Sequence, residues 1–544
     1  MTGKIDISPE QRAIVQRILA DHLPMGTLAW VFGSRVTWTA KPFSDLDIAL
    51  EATAPLPVDV LFDLEEAFEQ SDLPWKVDVI DLNVVSPKFR AIVERQRVPV
   101  TWGYSIVKPE RFGDICKLHD IIELNPKLPL KKGLHAPFID MAALPTNGKF
   151  IAEVGHREVA GSGSKFQNGD TLFARITPCL ENGKGGFVSG LPEKAIGLGS
   201  TEFIVFRARE KNDEQYAYYL SRWPNFRDFA KQGMEGTSGR QRVTWKTLAD
   251  FELPELSENE RAALGTVLSS LDDKIELNRR MNETLEAMAQ AIFRDWFVDF
   301  GPTRRKLEGA SGAQAVLGGL IAPPEKAARI AALFPDTLGD DGLPMGWEER
   351  PLDEIAKQHT KSVKPQSAPD ELFAYFSIPA FDSDRTPAMA LGETIKSNKT
   401  VIPSGAVLLS KLNPEIQRVW LPREKGENRQ ICSTEFLVYT PREPFGQAYL
   451  YSLFSERSFR EMLASMVTGT SKSHQRVAPK ALATRLVIAP NEEPMHTFEE
   501  ISASLLNRVL HNQAENRTLS ATRDLLLPKL MSGELRLRDA ETAL

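Results

Sequence analysis

Asp45 and Asp47 stand two residues apart, separated by Leu46. In a strand, residues i and i+2 share a face. Two carboxylates on one face can hold Mg2+ ions that clamp a nucleoside triphosphate. Upstream, Gly33-Ser34 ends an apolar run, and ten residues separate it from Asp45. Gly33 would let backbone N–H groups approach a phosphate, and Ser34 adds a hydroxyl. A third acid, Asp78, lies in the apolar stretch Val77 to Ile80, where an unpaired carboxylate is costly. It could complete the site as a metal ligand or as the base for an attacking hydroxyl. Asp81 competes for that place, but on an alternating strand it faces away from Asp78. A lone Asp-x-Asp is usually a solvated turn. The order strand, Gly-Ser, Asp-x-Asp, strand with an acid is more specific.

These residues need a scaffold. The stretch before residue 105 reads as helix (Pro9 to His22), strand (Thr27 to Phe32), strand (Leu46 to Leu50), helix (Val58 to Gln70) and strand (Lys76 to Leu82), a small α/β unit. Residues 33 to 50 (GSRVTWTAKPFSDLDIAL) and 76 to 82 (KVDVIDL) resemble the signature strands of the minimal nucleotidyltransferases of the polymerase-β superfamily. The resemblance implies that Gly33 and Ser34 hold the triphosphate. It makes Asp45, Asp47 and Asp78 the catalytic and metal-binding triad, with Mg2+ and ATP as cofactors and AMP transfer to a protein hydroxyl. A degenerate, purely structural domain is the alternative.

The remainder contains a long repeat. Ser200-Thr201-Glu202-Phe203 recurs as Ser433-Thr434-Glu435-Phe436, and Gly236-Thr237-Ser238 as Gly469-Thr470-Ser471. Gln241-Arg242-Val243 recurs as Gln475-Arg476-Val477, and Asn278 and Asn282 as Asn512 and Asn516. Gly169 to Pro178 resembles Gly405 to Pro414. All five lie in one order at offsets of 233 to 236, so the chain holds a duplicated unit of about 235 residues. Each copy opens with short β-branched and aromatic runs broken by Gly and Pro, and closes on a helical pattern.

In the first copy Leu264, Leu268, Leu271, Ile275, Asn278, Asn282, Leu285, Ala289, Ile292 and Trp296 alternate steps of four and three, a heptad seam. The second copy repeats it from Phe498 to Leu530 in register, with poorer residues. Core helices of a globular bundle would also show such stripes. Asn at the same two seam positions in both copies favours two long helices that pair with each other, the amides fixing register. Residues 309 to 344 read as a Gly/Ala/Pro-rich connector with one short helix, after Gly301-Pro302 ends the first long helix.

Residues 105 to 544 resemble the specificity subunit of type I restriction-modification systems. The carriers are ERFGDIC (110 to 116), PMGWEERPLDEIA (344 to 356), the Gly-Thr-Ser…Gln-Arg loop before LPEL (253 to 256), the long helix and the terminal LLLPKLMSGEL (525 to 535). The fold implied is a multidomain α+β chain. Its parts are a nucleotidyltransferase-like domain (1–104), target recognition domain one (105–256), a central helix (257–300), a connector (301–343), target recognition domain two (344–490) and a C-terminal helix (491–544). The helices would pair as an antiparallel coiled coil. The resemblance implies that each recognition domain reads half of a bipartite double-stranded DNA site. Two methyltransferase subunits, which would bring S-adenosylmethionine, and motor-nuclease restriction subunits would be partners. The specificity part would need no cofactor. The rival reading is a nucleotidyltransferase that the repeat delivers to a protein partner.

Candidate DNA contacts follow the shared loops: Thr237, Ser238, Gln241 and Arg242, then Thr470, Ser471, Gln475 and Arg476, with Arg175 and Lys411 aligned upstream. Arg can pair with guanine and Gln with adenine, but half or more of such bonds go to phosphate and sugar. A loop common to both copies would position rather than specify. It could also merely pack against the start of the helix.

Composition agrees. Hydrophobic residues make up 42% and charged residues 26% of 544, with a formal net charge of −7. That balance excludes a collagenous, disordered or DNA-coating chain. Residues 106–255 and 345–490 are the net-positive segments, at +2 and +3, while the N-terminal 105 residues carry −5. The three cysteines are far apart, which argues against a disulfide framework or a zinc knuckle. No Walker A, G-x-G-x-x-G or methyltransferase NPPF/DPPY motif occurs. Without a signal peptide or a run of about 18 apolar residues, the expectation is cytoplasmic.

Overall fold

A computed structural model describes residues 5–23, 27–37, 44–52, 56–85, 87–100, 115–237, 239–320, 324–423, 428–468 and 475–535. Ser238, Thr470, Ser471 and most of the ERFGDIC motif lie outside them. The chain forms two compact units, Met1–Thr266 with Leu527–Leu544, and Val267–Leu526, so each long helix contributes to both.

The first unit begins with helix Pro9–His22. Ser8 starts it as a capping box: its hydroxyl accepts from Gln11 N, and the Gln11 side chain accepts from Ser8 N. Strands Val77–Asp81, Leu46–Glu51, Leu28–Phe32 and Val98–Pro99 lie side by side in that order. The first pair is parallel and the others antiparallel. Val31, Ile48 and Leu50 bury against Val15, Leu19, Leu64 and Trp75. Alternation thus leaves one strand face to the core and sends Asp47 to the other.

Two further sheets of this unit belong to the first copy of the repeat. One runs Gly185–Phe187, Thr171–Ala174, Phe203–Ala208, Ile122–Leu124. The other runs Gly155–Glu158, His135–Ile139, Gly197–Gly199, Ser164–Phe166. Helices Glu214–Arg222, Pro224–Gln232 and Trp245–Ala249 follow.

The second unit repeats this strand order. Val419–Trp420, Val407–Ser410, Phe436–Pro441 and Ala356–His359 form its first sheet. Its second runs Ala388–Leu391, Leu372–Phe376, Arg429–Cys432, Lys399–Val401, with Ser362–Val363 added at the edge. Each second sheet holds one parallel pair, at equivalent places. The helices recur as Gln447–Ser455, Arg457–Ser465 and Pro479–Ala483. The duplication is therefore structural.

Each long helix has 40 residues, Glu258–Phe297 and Glu492–Met531, or about 60 Å. Within the second unit they pair antiparallel. Asn278 Nδ2 donates to Asn516 Oδ1 and Asn512 Nδ2 to Asn282 Oδ1, each at 2.9 Å. The buried Arg523 reaches Asp272 at 2.5 Å. As numbering rises along one helix it falls along the other. The 234-residue offset converts each Asn pair into the other, so the pairing is a pseudo-twofold.

The connector differs from its expectation. Among the described residues of 309–344 it holds two short helices rather than one, Ala313–Val316 and Pro324–Ala332, and a further helix, Gly301–Leu307, precedes them. The first long helix stops at Phe297, and Phe300 turns the chain in the left-handed region at φ 52°. Val316, Leu317, Ile330 and Phe334 bury beside Trp296 and Trp347. Each such apolar side chain contributes about 1.5–3 kcal/mol, which makes this segment core rather than linker. Small Gly and Ala residues concealed the packing.

Candidate functional site

The first candidate site lies on the four-stranded N-terminal sheet. Asp47 and Asp78 are direct neighbours across the parallel strands, and Phe32, just before Gly33, faces Asp47 from the other side. Gly33 has φ +78°, and any Cβ there would overlap Asp47 Oδ2. Glycine is therefore required twice, by the turn and by the carboxylate behind it. Arg35 holds the next corner. Its guanidinium donates to Ser44 O at 2.6 and 3.1 Å and to Asp6 O at 2.9 Å, and it stacks 4.4 Å from the Trp75 ring centroid. Spacing alone did not single out Arg35, yet it fixes the residue preceding Asp45.

The electrostatics are those of crowded acids. Burial, then the charges of Asp78 and Asp45, push the Asp47 carboxyl above its ordinary value. Asp78 is turned onto the Lys76 ammonium at 2.6 Å, a hydrogen bond that raises the Lys76 pKa. Among the described residues no three acidic, His or Cys side chains converge closely enough to hold a metal ion. Asp47 and Asp78 are paired across their strands and carry the charge and oxygen donors that suit Mg2+, whereas Asp45 is exposed just before the strand and Asp78 is paired with Lys76. Asp81 does something else: buried, it accepts from Leu56 N at 2.7 Å and Asn83 N at 2.8 Å, pinning two loops.

The second candidate site is the pair of loops shared by the two repeat copies. In the first, Arg242 Nε lies 3.1 and 3.0 Å from the two Glu202 carboxylate oxygens, and its Nη2 donates to Oε1 at 2.8 Å. Arg175 adds a bond to the same carboxylate at 3.3 Å. In the second, Arg476 grips Glu435 through Nε and Nη2, both at 3.0 Å. Glu202 and Glu435 are the acids of the repeated Ser-Thr-Glu-Phe. Two repeats found far apart in sequence are thus partners in space.

The backbone repeats as well. Arg175 N donates to Glu202 O, Val243 N to Arg175 O and Thr177 N to Gln241 O. Lys411 N donates to Glu435 O, Val477 N to Lys411 O and Asn413 N to Gln475 O. Arg175 and Lys411 therefore sit under the loops, bonded to the strands that carry the glutamates. Thr237 is exposed, and its carbonyl accepts from Arg240 N. The arginines expected to face DNA are committed to carboxylates, with side chains about 40% exposed.

Comparison with known proteins agrees with both parts. Residues 15–100 match the family model described as Polymerase beta, Nucleotidyltransferase. A probable protein adenylyltransferase, MntA of Haemophilus influenzae, is 43% identical over 98 residues, which cover 18% of this chain and 85% of that one. The type I restriction enzyme HindI specificity subunit of Haemophilus influenzae is 26% identical over 437 residues, or 72% of this chain and 92% of its own. The MjaIX specificity subunit of Methanocaldococcus jannaschii is 24% identical over 335 residues, 60% of this chain and 70% of its own. With its duplicated β-rich unit and paired long helices, the chain is similar along most of its length to type I restriction enzyme specificity subunits, and its N-terminal acid-bearing sheet belongs to the polymerase-β nucleotidyltransferase family.

Proposed function

We propose that this chain reads two half-sites of a bipartite double-stranded DNA target and scaffolds the methyltransferase and restriction subunits of a type I complex. The observation that carries the reading is the duplication. Two domains of the same strand order are each braced by the same Glu–Arg pair and each followed by a 40-residue helix. A shared brace with divergent surroundings suits two readers of different bases. The helix pair, an antiparallel coiled coil, would set the gap between half-sites. Arg242 and Arg476 are positioning residues in this reading. Base contacts come from residues that differ between the copies. Selection of DNA from a random pool by the chain with its methyltransferase subunits tests this. Two fixed blocks around an unspecified spacer support it, and one continuous motif counts against it.

A second activity is proposed for the N-terminal domain: Mg2+-dependent transfer of AMP from ATP to a protein hydroxyl. Asp45, Asp47 and Asp78 would hold the Mg2+, which neutralises phosphate charge when bound. Asp78 would exchange Lys76 for the ion, and Gly33 and Ser34 would approach the phosphates. The favouring observation is Asp47 beside Asp78 with Gly33 shaped around it. Label transfer from radiolabelled ATP to a partner, lost in Asp45→Asn/Asp47→Asn, supports it. Absence of transfer to any neighbouring protein makes the domain a remnant.

A further inference from the structure

The joint between each recognition domain and its long helix is built in two incompatible ways. In the first copy Asp213 precedes helix Glu214–Arg222 and is only 1% exposed. Arg261 of the long helix donates from Nε to Asp213 Oδ2 at 2.7 Å and from Nη1 to Leu256 O at 2.5 Å. One turn on, Gly265 lets the helix backbone press against the domain. A Cβ there would lie 2.8 Å from Tyr216 N and 2.9 Å from Gln215 Cβ.

The second copy reverses each choice. The position of Asp213 is Gly446, that of Arg261 is the buried Met495, and that of Gly265 is Glu499. The Glu499 carboxylate accepts from Ala448 N at 2.9 Å and Tyr449 N at 3.0 Å, capping helix Gln447–Ser455 from outside. Any Cβ at Gly446 would overlap that carboxylate. The acid sits on the domain in one copy, opposite an arginine, and on the helix in the other, opposite a glycine. Meanwhile Tyr216 and Tyr449 keep the same place and stay buried.

We propose that these trios, Asp213–Arg261–Gly265 and Gly446–Met495–Glu499, are matching keys that fix each recognition domain on its own helix. Crossed matches are penalised both ways. The first domain on the second helix sets Asp213 against Glu499 with no arginine. The second domain on the first helix leaves the half-buried Arg261 without its acid and Gly446 facing Gly265. A recognition domain can therefore be exchanged between positions only together with its helix residues. The DNA readout rests on the half-site reading; the joint itself does not.

The test converts the second joint into the first within the full chain. Gly446→Asp alone is expected to weaken binding to DNA bearing only the second half-site by tenfold or more, and to lower the unfolding midpoint. The triple variant Gly446→Asp/Met495→Arg/Glu499→Gly is expected to return both to within threefold and a few degrees of wild type. First half-site binding stays unchanged throughout. A triple variant no better than Gly446→Asp overturns the proposal, as does equal loss at both half-sites. If the wild-type chain shows no half-site binding, the DNA reading fails, and the unfolding midpoints still decide the keys.

Discussion

Arg242 closes a bidentate ion pair on Glu202, 40 residues away in sequence, and Arg476 repeats the pair on Glu435 in the second copy. Bidentate Arg–carboxylate geometry is the form of ion pair with directional content. Here it ties the loop after the Gly-Thr-Ser run to the strand Phe203–Ala208, and again to Phe436–Pro441.

This pairing separates two roles for the arginines. If Arg242 positions the loop, Glu202→Gln weakens binding at the first half-site about as much as Arg242→Ala, and the double variant adds little. If Arg242 grips phosphate, Glu202→Gln frees it and binding tightens. Titrations with half-site DNA at two salt concentrations distinguish these. The expected result is a loss of roughly tenfold in both single variants with an unchanged salt slope.

The same pair sets a pH dependence. The hydrogen bond from Arg242 holds the Glu202 carboxyl below its ordinary value of 4.5. A depressed carboxyl stabilises the fold above the ordinary value, and that contribution is lost as pH falls through the depressed one. Hydrogen exchange at Val243 N, bonded to Arg175 O, should stay flat from neutral pH to 4.5 after correction for intrinsic rates. Protection should fall only below that.

Between the long helices, Arg523 and Asp272 are both buried. Arg523→Met leaves Asp272 with a desolvated charge and should cost about 3–5 kcal/mol. The double variant Asp272→Leu/Arg523→Met should recover most of this, because it removes both charges together. Denaturant midpoints of the full chain measure it.

Asn278 and Asn516 behave differently. Replacing Asn278 with Leu removes the donor to Asn516 Oδ1 and to Glu515 and should cost on the order of 1–3 kcal/mol. Replacing all four seam asparagines with Leu should restore or raise stability while loosening register. Crosslinks between cysteines placed along the seam should then form at more than one spacing.

In the N-terminal domain, a carboxyl raised above its ordinary value costs stability where it is ionised. Asp47→Asn should raise the domain's unfolding midpoint at neutral pH, and the gain should shrink as pH falls toward the raised value. Mg2+ should stabilise wild type and not the variant. Gly33→Ala should displace Asp47 and abolish the Mg2+ effect, costing about 1–3 kcal/mol for the φ +78° position.

Much of this was legible in the residues. Period-two alternation around Leu46 and Val77 places those two strands within a residue of their observed bounds, while the short edge strand Val98–Pro99 was not read. The heptad steps from Leu264 to Trp296 find the long helix, since buried periodicity survives in sequence. What could not be read was partnership at a distance. Glu202 and Arg242 each stood out as repeats, yet nothing in one chain says that they bond to each other. The keys at Asp213 and Glu499 were invisible because aligned copies advertise what they share, and these positions differ. The connector misled because Gly and Ala mark both loops and tight packing.

In the proposed function this chain assigns a bipartite DNA sequence to a methyltransferase. Methylome sequencing of the wild-type and deletion strains tests it most directly. A two-block motif, methylated in wild type, should lose all modification in the deletion and regain it on complementation. An unchanged methylome would mean that this chain does not direct methylation to DNA.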